Sequence, residues 1–201
     1  RVLATAQHRQ MLDQIHAFFG IKPDRDLDLM RSNQSLADLT ARMVAAMDPV
    51  LAEEQPKLVL AQGDTTTVMV TALASFYRKI PFGHVEAGLR TGDAYNPFPE
   101  EMNRLLVGRM AALHFAPTQG AADNLAKEGI RRDVHVTGNT VIDALLWAAE
   151  RVDSAPFAPP PGKKLVLVTA HRRENFGAPF EAVCAALRAV ADRGDVQLLY
   201  P

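Results

Sequence analysis

The chain has 201 residues, 22 Lys plus Arg against 23 Asp plus Glu, a formal net charge of −1 and 48% hydrophobic residues. That length suits one sizeable domain, or one domain with part of another. The balanced charge leaves no basic footprint for nucleic acid, no apolar run approaches the ~20 residues of a membrane span, and the lone Cys184 has no partner for an internal disulfide, which fits a reducing cytoplasm.

The predicted elements alternate along the chain. Residues 2–6 read as the end of a buried strand, and 11–19 as a helix with Met11, Leu12, Ile15, Phe18 and Phe19 at helical spacing. Gly20 is placed to end that helix. Residues 26–29 alternate polar and apolar, as a short strand does. A long helix is expected over 35–54, with Ser35 at capping distance from Asp38 and a stripe of Leu36, Leu39, Met43, Met47, Val50 and Leu51. Pro49 is able to kink it, because proline removes an N–H bond.

Strands follow at 57–62, 81–86, 113–116 and 134–137, separated by helices at 65–77, 99–110 and 118–128. Pro99 suits the first position of its helix. A helix over 141–151 presents Val141, Ile142, Leu145, Leu146 and Ala149 as a core face. Strict alternation of strand and helix predicts a Rossmann-like α/β domain with a parallel sheet. Proline-rich 154–163 reads as an interdomain linker. It divides a domain over 1–153 from one βαβ unit of a second domain over 164–201, in which Cys184 is expected in the core. Both termini read as interior strand, so the chain is expected to belong to a longer protein.

Acidic residues recur where strands give way to loops or helices. In an open parallel sheet those strand ends line the ligand crevice. Asp64 precedes Thr65, Thr66 and Thr67 at a helix start. It reads either as a plain cap or, with the hydroxyls, as part of a site for an anionic or hydroxylated ligand. Glu86 ends an apolar strand, and either handles protons or pairs with Arg90 or a lysine. Glu100 and Glu101 open a helix, where acids complement the helix dipole. Glu100 also stands four residues from Arg104, the spacing of a helical ion pair. The loop Tyr95-Asn96-Pro97-Phe98-Pro99 is stiff and aromatic, suited to wall a sugar pocket.

His171, Arg172, Arg173 and Glu174 form either a solvated loop or a phosphate contact at a strand's carboxyl end. His84, two residues before Glu86, is expected on the same side of the strand, and with Asp93 keeps a metal-dependent hydrolase open. No metal ligand set is assigned. Neither a GxGxxG fingerprint nor a P-loop occurs, which weakens dinucleotide and ATP readings.

Taken in order, Thr5-Ala6-Gln7-His8-Arg9, Gly63-Asp64-Thr65-Thr66-Thr67, His84-Val85-Glu86-Ala87-Gly88-Leu89-Arg90-Thr91-Gly92-Asp93, Pro99-Glu100-Glu101 with Asn103-Arg104, Thr137-Gly138-Asn139-Thr140-Val141-Ile142-Asp143 and His171-Arg172-Arg173-Glu174 resemble the bacterial non-hydrolysing UDP-N-acetylglucosamine 2-epimerases. The resemblance covers the chain from end to end. It implies a glycosyltransferase-B-like fold of two Rossmann-like domains and reversible conversion of UDP-GlcNAc to UDP-ManNAc, commonly in a homodimer. The family's catalytic carboxylates correspond to Asp64, Glu86 and Glu100. Arg104 and His171 match residues tied to activity and nucleotide binding. Thr65, Thr66, Arg90, Asn139 and Arg172 stand where substrate contacts are expected.

Gln7, His8, Gln10, Glu100 and Arg172 match a site where a second UDP-GlcNAc binds as activator, although Asn33 stands where the family pattern has an arginine. The family's first strand and its C-terminal half are not in this chain, so it is not expected to be active alone. The chemistry requires no nicotinamide and no metal. A hydrolysing relative that releases ManNAc and UDP, and a non-catalytic sugar-nucleotide-binding module, remain as alternatives.

Overall fold

A computed structural model of the chain describes residues 1–5, 9–31, 33–152, 157–169 and 177–200, without the side chains of 9–11 and 178. The elements are β1 (Leu3–Ala4), α1 (Arg9–Phe19), β2 (Arg25–Asp26), α2 (Leu36–Glu54), β3 (Val59–Gln62), α3 (Thr66–Tyr77), β4 (Phe82–Val85), α4 (Glu100–Met110), β5 (Leu113–Ala116), α5 (Gln119–Lys127), β6 (Val134–Val136), α6 (Thr140–Ala149), β7 (Lys164–Leu167), α7 (Ala178–Asp192) and β8 (Val196–Leu199). The chain divides into two compact units, Arg1–Ala144 and Leu145–Pro201.

In the first unit β1 pairs with β2, and β3-β4-β5-β6 form a four-stranded sheet in that order. Every pairing is parallel. Register aligns Gln62 with Val85 and Val85 with Phe115, so β3, β4 and β5 release their following loops at one edge. Strand alternation sends Val59, Ala61 and Phe82 to one face, where Val68 and Ala72 of α3 and Val107 of α4 cover them. Met43 of α2 packs on Val70 of α3, and Met47 and Leu51 pack with Ala74. Burying side chains of this size contributes roughly 1.5–3 kcal/mol each. Leu60, on the other face of β3, is 57% exposed.

Local sequence explains the boundaries. Ser35 accepts the Asp38 N–H at 3.1 Å and starts α2. Gln55, in the left-handed region with φ 45, closes it. The helix runs through Pro49 unbroken. Its buried stripe is Leu39, Met43, Met47 and Leu51, while Leu36, in the first turn, is exposed. In α3, Thr71 and Ser75 donate their hydroxyls back to Thr67 O and Thr71 O, each at 2.7 Å, so a buried helix tolerates polar side chains. Pro99 is the residue that caps α4, one place earlier than predicted.

Two expectations about the core fail. The apolar stripe predicted to bury α6 is open: Val141, Ile142, Leu145 and Leu146 are all exposed, and α6 has no buried residue. No described element covers that stripe. In the second unit β7 and β8 pair in parallel and α7 connects them. The half-buried face of α7 carries Val183, Leu187 and Val190. Cys184 lies one position round the helix from Val183 and is exposed, not core.

Candidate active site

Of the predicted site residues of the first unit, Asp64, Thr65, Thr66 and Glu86 lie just past the carboxyl ends of β3 and β4, where Arg104 of α4 meets Asp64. Gly63 ends β3 with φ +87, and its N–H donates to Val85 O at 3.0 Å. His84, 1% exposed beneath this turn, meets Gly63 O through Nε2 at 2.7 Å. Burial pushes the His84 pKa down to about 4, against the raising effect of the Gly63 carbonyl. The ring is therefore neutral at pH 7, with Nε2 donating. His84 is thus a support for the Gly63–Asp64 turn.

Glu86 also departs from the alternation predicted for it. It lies past the end of β4 with φ +68, a left-handed conformation that costs a non-glycine residue about 1 kcal/mol or more. The pattern that would have put it beside His84 breaks there. Its carboxylate lies against Gly63, where a Cβ would meet Glu86 Oε2 at 3.7 Å. Among the described residues Glu86 has no ion pair.

Arg90 does not pair with Glu86: it donates Nε and Nη2 to the Glu128 carboxylate at 2.6 and 3.0 Å, and Nη1 to Leu89 O at 2.8 Å. That pair ties the glycine-rich loop to α5, as does Asn124, whose Nδ2 donates to Gly88 O at 3.1 Å.

Asp64 and Arg104 meet. Arg104 donates Nε and Nη2 to Asp64 Oδ2 at 3.0 and 2.6 Å, and Nη1 to Glu101 Oε2 at 3.1 Å. The ion pair predicted from spacing between Glu100 and Arg104 is therefore not the one formed. Glu100 is half-buried in the first turn of α4, one turn before Arg104 on the same helical face. Asn103 is buried, and its Nδ2 donates to Asp64 O at 2.8 Å, so α4 grips both the backbone and the side chain of Asp64. Thr65 is the N-cap residue of α3 without a side-chain cap bond, and Thr66 is buried. Asn139 Oδ1 accepts the Val141 N–H at 3.1 Å and caps α6.

Sequence reasoning places Glu101 and Asn103 in a motif but assigns them no site role, and does not single out Asn124 or Glu128. Glu101 was read as a first-turn acid complementing the helix dipole, yet it is 1% exposed. Its three-residue spacing from Arg104 was the available signal. Gln7, His8, His171 and Arg172, and the side chain of Gln10, lie outside the described residues. Asn33 is exposed with φ 55. Tyr95 and Phe98 stack with centroids 6.4 Å apart, both exposed in the loop before α4.

A cavity of about 390 Å³ opens beside Arg90, Glu101, Leu105 and Glu128. A larger one, about 530 Å³, is lined by Arg109, His114, Arg131 and Asp133 at the opposite, amino-terminal edge of β5 and β6, away from the carboxylates. No group of three or more His, Cys, Asp or Glu side chains among the described residues is disposed to hold a metal ion. No described helix is long and apolar enough to cross a membrane.

The described arrangement is thus Asp64 and Glu86 just past the ends of β3 and β4, with Arg104 of α4 held between Asp64 and Glu101. Known proteins match the chain along its whole length. The family model described as UDP-N-acetylglucosamine 2-epimerase matches residues 1–201. A UDP-N-acetylglucosamine 2-epimerase of Escherichia coli K12 is 49% identical over 214 residues, covering 100% of this chain and 57% of the relative. A crystal structure of the Neisseria meningitidis UDP-GlcNAc 2-epimerase bound to UDP-GlcNAc superposes with a TM-score of 0.94 at 42% identity, covering 100% of this chain and 57% of that one. An S. aureus protein solved with UDP gives a TM-score of 0.88 at 45% identity, covering 100% and 54%. The chain therefore spans little more than half the length of the relatives it matches. The architecture is α/β and glycosyltransferase-B-like, and the chain belongs to the UDP-N-acetylglucosamine 2-epimerase family.

Proposed function

We propose that this chain carries the carboxylate-bearing part of an enzyme that interconverts UDP-GlcNAc and UDP-ManNAc without net hydrolysis. The observation that supports this most is the Asp64–Arg104 pair at the carboxyl edge of the sheet, with the Glu86 carboxylate against the neighbouring Gly63. Relatives solved with UDP-GlcNAc or UDP make the same ligands the proposed ones here.

The chemical problem dictates the need for several carboxylates. C2 of the sugar has no neighbouring carbonyl, so its proton is not acidic in the ground state. If the C1–O bond ionises first, UDP leaves with the bonding pair and positive charge develops at C1. That charge acidifies the C2 proton. A carboxylate takes the proton as the C1–C2 double bond forms, giving a 2-acetamidoglucal. Delivery of a proton to the opposite face of C2, with return of UDP to C1, yields the epimer.

Two proton-handling groups are needed, one for each face, and Glu86 and Glu100 are proposed for them. Asp64, held by two bonds from Arg104, suits a fixed negative charge near C1. His171 and Arg172 are proposed to stabilise the departing diphosphate, Thr65 and Thr66 to contact it at the start of α3, and Asn139 to contact substrate. A homodimer is part of the proposal and is read by sedimentation.

Product analysis tests the reaction class. The protein carrying this chain, at the full length of its relatives, is incubated with UDP-GlcNAc. UDP-ManNAc as the sole new sugar supports the proposal. Free ManNAc with UDP identifies a hydrolysing enzyme, and unchanged substrate with bound UDP a binding module.

A further inference from the structure

We infer that Glu101 is a positioning residue of this site, holding Arg104 against Asp64 with one carboxylate oxygen and the Thr91–Gly92 turn with the other. The inference rests on the proposed active site and deepens it. Oε1 accepts the Thr91 N–H at 3.0 Å and the Gly92 N–H at 3.1 Å. Oε2 accepts Arg104 Nη1 at 3.1 Å. The guanidinium is a rigid planar fork, so fixing Nη1 also aims Nε and Nη2, the two atoms that bond Asp64 Oδ2. One side chain thereby couples the start of α4, the glycine-rich loop after β4 and the turn after β3.

Complementing a helix dipole does not require burial. A buried carboxylate is retained only where partners replace its water. Burial by itself raises the Glu101 pKa, but the Gly92 and Thr91 amides and Arg104 outweigh it and hold it below the usual range. What is buried is the anion, with donors on both oxygens.

The separate duties of the two oxygens give the test. In Glu101→Gln the amide oxygen keeps both backbone donors, while the NH2 group faces Arg104 donor to donor. The reverse orientation would oppose two backbone amides instead of one guanidinium nitrogen. The full-length protein and this variant are compared by amide exchange at Thr91 and Gly92, by NMR exchange of the Arg104 Nε–H, and by steady-state kinetics. The expected result is unchanged protection at Thr91 and Gly92, Arg104 Nε–H exchange at least about tenfold faster, and kcat about tenfold to a hundredfold lower with KM within about threefold.

Arg104→Lys supplies a double-mutant cycle. Loss in the double variant no greater than in Arg104→Lys alone is expected, whereas additive losses would mark Glu101 as merely structural and overturn the inference. Turnover within twofold of the parent, or unaltered Arg104 exchange, would overturn it as well. If the parent itself leaves UDP-GlcNAc unchanged, the proposed reaction fails, and the Arg104 exchange alone decides whether Glu101 positions it.

Discussion

Glu86 and Gly88 mark the two ends of what a residue can tolerate in this loop. Glu86 stays in a left-handed conformation, φ +68, without an ion pair among the described residues. Strain of that kind persists where the surrounding structure over-determines it, often at functional sites. On the proposed reaction, Glu86→Gln and Glu100→Gln each lower turnover by about a hundredfold or more and leave UDP affinity within a few-fold. Near-parental turnover in either variant removes that carboxylate from the chemistry. Gly88 has φ +88, and a Cβ there would sit 2.2 Å from Ala121 O. That neighbour is backbone of α5 and cannot swing aside. Gly88→Ala is therefore expected to cost about 3 kcal/mol or more, read from urea midpoints. A loss below 1 kcal/mol would mean that the loop moves freely from α5.

At the scale of elements, propensity and periodicity carried far. Every predicted helix and strand of the described residues is present, with ends shifted by a few positions. The reason is consistency: the cap and the apolar spacing agree in segments such as α2. The Ser35 cap is expected to contribute about 1 kcal/mol, so Ser35→Ala lowers stability by that amount in thermal or urea unfolding. No change would place the start of α2 under tertiary control alone.

Burial was harder to read than element type. Sequence periodicity shows which face of a helix is apolar, not whether another element lies over it, so the stripe of α6 and the place of Cys184 were misjudged. Site partners were harder still. Asp64, Glu86, Glu100 and Arg104 were singled out from strand ends and motif spacing. The pairing of Arg104 with Asp64, 40 residues away, depends on how α4 packs beside α3, which no local pattern encodes. Glu101 was hidden for the same reason: burial distinguishes it from its neighbour Glu100, and burial is a tertiary property.

For the molecule as a whole, the site's support also shapes its response to acid. His84 has a pKa of about 4 in the fold against 6.5 in an unperturbed chain. Between those values the unfolded chain binds a proton that the folded chain refuses. Stability from this group is present in full above pH 6.5 and falls as pH drops through the window, by about 3 kcal/mol in all. Urea titrations at pH 7 and 4.5 should show this slope in the parent and lose it in His84→Gln; equal slopes would contradict it.

In the proposed reaction, carboxylates at the ends of β3 and β4 and the start of α4 exchange the proton at C2 while UDP leaves and returns. The most direct measurement follows the sugar protons by NMR as the full-length protein acts on UDP-GlcNAc in deuterated water. UDP-ManNAc with deuterium at C2 in both epimers is expected, with slow or absent incorporation in Glu86→Gln. Formation of UDP-ManNAc with the original proton retained at C2 would contradict it.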